Sequence, residues 1–175
     1  MWTLLILAVA SAGQLAGVTM ADTVTVADSA LLLNGMGLRE KYFIDVYVGG
    51  LYLPARTHSE RQAIDEDVAK RLEMHFVYNK VSQAQLVESF EEGLRQVPNG
   101  VAQAAAFRTL YPMLGDVVSG DRIVFDYIPG TGTTVTWKGR SRGTVGGVDF
   151  MRALWAIYLG AAPPTAKLKR GMLGQ

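Results

Sequence analysis

Cysteine is absent from the 175 residues of this chain. Disulfides, thiol nucleophiles and iron–sulfur clusters all need cysteine, so the sequence excludes each of them. Only two histidines are present, His58 and His75, and no pattern typical of metal ligands accompanies either one. Because transition-metal sites are built mainly from Cys, His, Asp and Glu, we expect no dedicated metal site and no metal cofactor.

The chain also lacks an excess of charge of either sign. Seventeen Lys and Arg residues oppose sixteen Asp and Glu residues, which leaves a formal net charge of +1. Domains that bind nucleic acid usually carry a basic excess, so we expect no nucleic-acid partner. The length is sufficient for one domain with a substantial hydrophobic core.

The amino-terminal segment has no charged residue between Trp2 and Ala21. An apolar core at Leu4–Ala10 is followed by small residues and by a candidate cleavage site before Asp22. This pattern predicts a signal peptide at residues 1–21 and a single domain over residues 22–175. An uncleaved anchor is the alternative, because about 20 apolar residues can span a bilayer. We therefore expect a periplasmic protein, or a membrane-anchored one if the leader is retained.

Strand patterns dominate the first half of the remaining chain. Asn34-Gly35 favours a tight turn, because both residue types tolerate positive φ. Residues 42–53 are rich in β-branched and aromatic side chains and predict a long strand after that turn. Residues 70–78 alternate between apolar and polar side chains, which is typical of a half-buried strand. Residues 121–138 predict a hairpin with its turn near Pro129-Gly130.

Two segments have the apolar spacing of helices. Ser82 begins a capping box, and an apolar stripe follows it until Pro98. The second helix is predicted at residues 148–159 and ends before Gly160. Strands and helices do not alternate regularly along the chain. The order therefore predicts the α+β class, with an antiparallel sheet backed by helices.

A single arginine, Arg39, lies in the largely apolar segment Leu31–Leu53. An unpaired buried charge is strongly unfavourable, so a guanidinium near a core needs an anion or several acceptors. Arg39 could point into water, pair with Asp45, or bind the carboxylate of a ligand. The residues alone leave these alternatives open.

Five segments of the sequence carry a resemblance to a known family. They are Gly35–Lys41, Asp45–Leu53, Lys70–Phe76, Gly120–Gly130 and Ala153–Gly160. Through them the chain resembles the chalcone isomerase-like superfamily, above all its exported bacterial branch, over essentially everything after the leader. The resemblance implies an open-faced β-sandwich, in which helices pack on one face of a large antiparallel sheet and a cleft separates the layers.

The resemblance also implies a ligand. The superfamily includes plant isomerases and plastid fatty-acid-binding proteins, and in both an arginine similar to Arg39 faces the cleft. The fatty-acid binders add a tyrosine similar to Tyr47. A guanidinium can hold both oxygens of a carboxylate while a phenol donates a third bond. The leading hypothesis is a non-catalytic binding protein for a fatty acid or similar apolar carboxylate in the bacterial envelope.

The two candidate residues must be brought together by the fold. On one straight strand, Arg39 and Tyr47 would lie about 26 Å apart and could not share a carboxylate. A turn or bulge between them is therefore required.

Two other functions remain open. One is an isomerase or intramolecular cyclase of chalcone-like or enone substrates, and the other is a ligandless interaction module of the envelope. The remaining polar residues of the isomerases fall near Gln83, Phe90 and Ile157, none of which supplies the expected group. Tyr158 is adjacent to Ile157, but a helix turns it about 100° away.

Overall fold

A seven-stranded antiparallel sheet is the centre of the structure, a computed structural model that describes residues 12–175. The strands in chain order are β1 Ala12–Leu15, β2 Val18–Ala21, β3 Thr23–Val26, β4 Ser29–Lys41, β5 Ile44–Leu53, β6 Lys70–Phe76, β7 Lys80–Val81, β8 Val117–Val118, β9 Arg122–Ile128, β10 Gly132–Trp137 and β11 Arg140–Val145. The sheet has the order β11-β10-β9-β6-β5-β4-β3. Two further two-stranded pairs, β1-β2 and β7-β8, lie beside it.

Helices cover one face of this sheet. Their apolar side chains share one core with the sheet residues Leu72, Phe125 and Val135. The predicted capping box is present, because Ser82 and Gln85 bond each other's backbone N–H groups at the start of the helix Gln83–Gln96. The predicted α+β class and open-faced β-sandwich are confirmed. The helices are α1 Glu60–Asp65, α2 Gln83–Gln96, α3 Ala104–Leu110, α4 Val148–Leu159 and α5 Ala166–Met172, with 3₁₀ turns at Gly100–Gln103 and Tyr111–Met113.

The hairpin β1-β2 packs on the opposite face of the sheet. Its Val18 and Met20 are buried there, and the hydroxyl of Tyr52 donates to the carbonyl of Ala21 at 2.9 Å. Residues 12–21 belong to the segment predicted as a leader, whereas its apolar core, Leu4–Ala10, lies outside the described residues. The signal peptide and its cleavage site stay predictions. Among residues 12–175 no helix is long and apolar enough to cross a bilayer.

The predicted turn at Asn34-Gly35 is wrong. Strand β4 runs through both residues, and its pairing with β5 shifts by one residue there, as in a β-bulge. The side chain of Asn34 donates to the carbonyls of Thr57 and Met172 at 3.0 and 2.8 Å. The Asn34 side chain therefore joins β4 to distant parts of the chain and does not form a turn. The chain reverses at Tyr42-Phe43 instead, so the predicted strand begins at Ile44.

Helix α5 packs closely against β4 because the residues of β4 that face the helix are glycines. A Cβ on Gly37 would overlap the carbonyl oxygen of Leu168, and one on Gly35 would overlap that of Gly171. Helix backbone can approach a sheet this closely only where side chains are absent. Gly35 therefore lies against the end of α5, and Gly37 lies against a residue nearer its start. Arg39 is the next residue on that face.

Candidate ligand-binding site

The β4-β5 hairpin places Arg39 directly across from Tyr47. The two residues are paired in the strand register. The two-residue turn at Tyr42-Phe43 reverses the chain between them, and this is the turn that the sequence analysis required. Residues paired in this way project from the same face of the sheet, with Cβ atoms about 5 Å apart. Tyr47 belongs to the core beneath the helices, so Arg39 is on the helix-covered face as well.

Arg39 is half-buried and has no carboxylate partner within the described part of the chain. Its Nη1 donates to the carbonyl of the neighbouring Glu40. No acidic oxygen of residues 12–175 lies within 4.0 Å of the guanidinium. Asp45 is exposed and pairs in register with Glu40 rather than with Arg39. The internal ion pair with Asp45 that the sequence allowed is therefore not formed.

Glu40 has a different partner. Its Oε2 accepts from Nζ of Lys167, in the first turn of α5, at 2.9 Å. This exposed pair connects the base of the hairpin to the helix, although ion pairs of this kind add little stability. The pair places the beginning of α5 beside Arg39. It also engages the carboxylate that is nearest to Arg39 in the sequence.

Tyr47 contributes a buried phenol to the site. Its ring lies 5.5 Å from the ring of Phe76, measured between centroids, on the neighbouring strand. Burial raises the pKa of Tyr47, and the nearby charge of Arg39 opposes this effect. The phenol therefore stays protonated at neutral pH and can donate a hydrogen bond. Within residues 12–175 no group is hydrogen-bonded to its hydroxyl.

Tyr158 is the residue that the sequence analysis named but set aside on helix geometry. It is buried on α4, and its hydroxyl donates to Sδ of Met74 at 3.6 Å, a weak acceptor. Burial raises the pKa of Tyr158, Tyr47 raises it further, and Arg39 lowers it, because these three groups lie near one another. The expected 100° rotation holds, but it directs Tyr158 toward the sheet and Ile157 toward Gly93 of α2.

Apolar side chains surround these polar groups. Phe76 contacts Tyr47, and Phe90 lies edge-on to Tyr158 with centroids 6.4 Å apart. Two cavities of about 310 and 340 Å³ lie elsewhere in the described chain, between α2 and α3 and along the β1-β2 hairpin. Neither is lined by Arg39 or Tyr47. Met74 is buried and its Sδ accepts from Tyr158, so a guest chain that passed between Tyr47 and Tyr158 would displace it.

The opposite face of β6 is polar, as the alternation predicted. Arg71 holds Asp126 through two hydrogen bonds of 2.6 and 2.8 Å. His75 is half-buried on this face, and burial lowers its pKa, as does the neighbouring Arg122. Within residues 12–175 no three His, Asp or Glu side chains are grouped as metal ligands. The ionisable groups of this face are separate from the Arg39 site.

Comparison with known proteins identifies the architecture. A model of the chalcone isomerase-like family matches residues 12–174. The chain belongs to the chalcone isomerase-like family. The crystal structure of a fatty-acid binding protein from Arabidopsis thaliana is similar to it, with a TM-score of 0.75 and 19% identity, over 93% of this chain and 96% of that one. A search of curated proteins gave no match. The predicted resemblance is confirmed.

The three positions expected for the other polar groups of the family's isomerases have different contacts here. Gln83 donates through Nε2 to the carbonyl of Tyr111 at 3.1 Å. Phe90 packs edge-on against Phe125, and Ile157 packs against α2. The structure thus places Tyr158 of α4 near Arg39 and Tyr47 of the sheet. The other three positions make different contacts.

Proposed function

We propose that this protein binds a fatty acid or a similar apolar carboxylate without transforming it. The observation that carries the proposal is the half-buried Arg39, which no carboxylate of the described residues neutralises and which lies opposite the protonated phenol of Tyr47. Its guanidinium would hold both carboxylate oxygens, and Tyr47 would donate a third hydrogen bond. The likeness to a plant fatty-acid binding protein supports this proposal.

The acyl chain would extend from Arg39 into the apolar layer between sheet and helices. Phe76 and Met74 lie in its direction, and Tyr158 lies above them on α4. Methionine is unbranched and adapts to irregular space, so Met74 is the side chain we expect to move first. Its displacement would release the Tyr158 hydroxyl from a weak sulfur acceptor. This hydroxyl could then turn toward the bound carboxylate.

An isomerase would need more than these groups. It must stabilise a phenolate and place a donor at the developing enolate. Gln83, Phe90 and Ile157 are used for other contacts, so no specific observation favours that function over binding. Location in the bacterial envelope is part of the proposal and depends on the predicted leader.

Calorimetric titration with palmitate and with its methyl ester tests the head-group assignment. Wild-type protein should prefer the acid, because only a carboxylate can accept from Arg39. Arg39→Met keeps the aliphatic stem and should weaken palmitate binding by about 10- to 100-fold, as expected for loss of charge-assisted hydrogen bonds. Tyr47→Phe should cost about 5- to 10-fold, because one neutral donor is removed.

The matched control is Arg61→Met, since Arg61 is an exposed arginine on α1 that pairs with Asp65 one helical turn away. It should leave the affinity for palmitate unchanged. Equal binding of acid by wild type and Arg39→Met would contradict the proposal. Conversion of a chalcone well above its spontaneous rate would favour the isomerase instead.

A further inference from the structure

The end of the β4-β5 hairpin exposes aromatic side chains to solvent. Tyr42 is 84% exposed, Phe43 is fully exposed, and Ile44 is 44% exposed. We call Lys41–Ile44 the hairpin tip. Large apolar residues on a soluble protein are usually scattered singly, so three in succession indicate a contact with something outside the fold.

The hairpin tip projects beyond the rest of the sheet. Strand β3 pairs with β4 only as far as Leu32, and β6 pairs with β5 only from Tyr47 onward. From Glu40 to Asp45 the two strands pair only with each other. The tip is therefore the end of a two-stranded extension, accessible from several sides.

The backbone conformation of the turn does not explain why Tyr and Phe occupy it. Both Tyr42 and Phe43 have positive φ, at 50° and 64°. A two-residue hairpin turn of this type favours Asn-Gly, and bulky side chains in it are strained. Neither ring packs into the core. Because the aromatic residues serve neither the turn nor the packing, an external contact is the physical reason left for them.

We propose that the hairpin tip inserts into the interface of a lipid bilayer. Two aromatic rings present about 300–500 Å² in total, well below the roughly 800 Å² per partner of a stable protein interface. Such an area is sufficient for shallow insertion, where Tyr and Phe lie among the head groups and a flanking lysine extends to the lipid phosphates. Lys41 has this position, with Nζ 5.8 Å from the centroid of the Tyr42 ring.

The depth of insertion relates the tip to the ligand site. The pair Arg39–Tyr47 lies two residues behind Lys41 on β4, which is about 7 Å along the strand. Interfacial segments are buried about 5–10 Å into the boundary of head groups and acyl chains. An inserted tip would therefore bring Arg39 close to the level at which the carboxylate of a membrane-bound fatty acid lies. This last step, and only this step, rests on the proposed function.

A third aromatic residue borders the same end. Tyr78 is 38% exposed, and its backbone N–H donates to the carbonyl of Val46, two residues from Ile44, at 3.2 Å. Glu40 near the tip is neutralised by Lys167. The exposed carboxylate of Asp45 directly follows the tip and offsets the charge of Lys41. Because the tip and Asp45 together have no net charge, we expect apolar insertion to dominate over attraction to anionic lipid.

Sedimentation with sucrose-loaded phosphatidylcholine vesicles, without added fatty acid, tests the insertion. The purified protein should partition into the vesicle pellet at low and at high salt. The double variant Tyr42→Asn/Phe43→Gly installs the preferred turn sequence, so it should fold at least as well while its partition falls at least tenfold. Val101→Ser removes an equally exposed apolar side chain on the helix side and should leave partition unchanged.

Two further measurements separate this proposal from the ligand site. Phe43→Trp should be quenched by brominated phosphatidylcholine, which reports insertion directly. Arg39→Met should keep its vesicle partition, and the Asn-Gly variant should keep its affinity for palmitate in solution. Absence of wild-type partition, or equal partition by the Asn-Gly variant, would overturn the proposal. Loss of a dimer in that variant by light scattering would also overturn it and assign the tip to a second copy.

Discussion

The contact between α5 and β4 can be tested by adding one methyl group. Gly37→Ala would place a Cβ where the carbonyl oxygen of Leu168 now lies. The obstacle is helix backbone, which cannot rotate away as a flexible side chain could. Either the helix moves outward or the sheet deforms, and both disturb the packing next to Arg39.

The size of the effect is bounded by what α5 buries. Overpacking a rigid core costs about 1–3 kcal/mol, and a backbone clash belongs at the upper end. Complete undocking would expose Leu168, Met172 and Leu173, all of them buried, at about 1.5–3 kcal/mol each. We therefore expect Gly37→Ala to lower the free energy of unfolding by at least about 3 kcal/mol, with the loss of these three side chains as the upper limit.

Urea unfolding of wild type and variant measures this change. For a chain of this length, 3 kcal/mol corresponds to a fall in Tm of about 6–12 °C. Gly146→Ala is the matched control, because its added Cβ meets no atom within 4 Å and its φ lies outside the left-handed region. A difference below about 0.5 kcal/mol between the two variants would refute the close approach of α5 to β4.

Three other predictions concern the core. Burial lowers the pKa of Lys70 to about 8, so the folded state holds fewer protons than the unfolded state from pH 8 upward. The free energy of unfolding should therefore rise between pH 8 and 10, by up to about 3 kcal/mol. This rise should be absent in Lys70→Met. A chain beginning at Asp22 lacks Val18 and Met20 and should be about 3–6 kcal/mol less stable in urea than the longer chain, and equal stability would contradict their packing. Asn34→Ala leaves buried carbonyls without donors and should cost about 2–3 kcal/mol in the same assay, whereas no change would show that water replaces the amide.

Local patterns predicted the elements that depend on neighbours in sequence. The alternation along β6, the hairpin β9-β10 and the capping box at Ser82 are all present. Each is decided within a few residues, by strand period, by turn chemistry or by the first turn of a helix. The order of these elements was sufficient to predict the α+β class.

The turn at Asn34-Gly35 failed for the opposite reason. Its strong local signal is overridden by partners 23 and 138 residues away, which bond the Asn34 side chain. The real turn at Tyr42-Phe43 has no Gly or Asn to announce it. No local rule could place it, and the pairing of Arg39 with Tyr47 depends on it.

The candidate site was proposed through resemblance, and it stays a prediction. Arg39 and Tyr47 were identified from the family pattern, but their direct opposition needed the strand register. Tyr158 has the spacing of Phe150 and Leu154, four residues apart along α4, which indicates a shared face. Since α4 is buried on most of its surface, that spacing alone could not tell which neighbour each side chain meets.

The order in which the chain is synthesised gives the glycine track under α5 a further consequence. Strands β4 and β5 are made early, yet the helix that shields Gly35 and Gly37 from water follows more than 100 residues later. Until α5 has emerged from the ribosome, the surface around Gly35 and Gly37 stays uncovered, because glycine has no side chain of its own to cover it. The surroundings of Arg39 are therefore among the last parts of the protein to fold. A chain whose synthesis stopped before α5 would keep this sheet surface exposed and prone to aggregation.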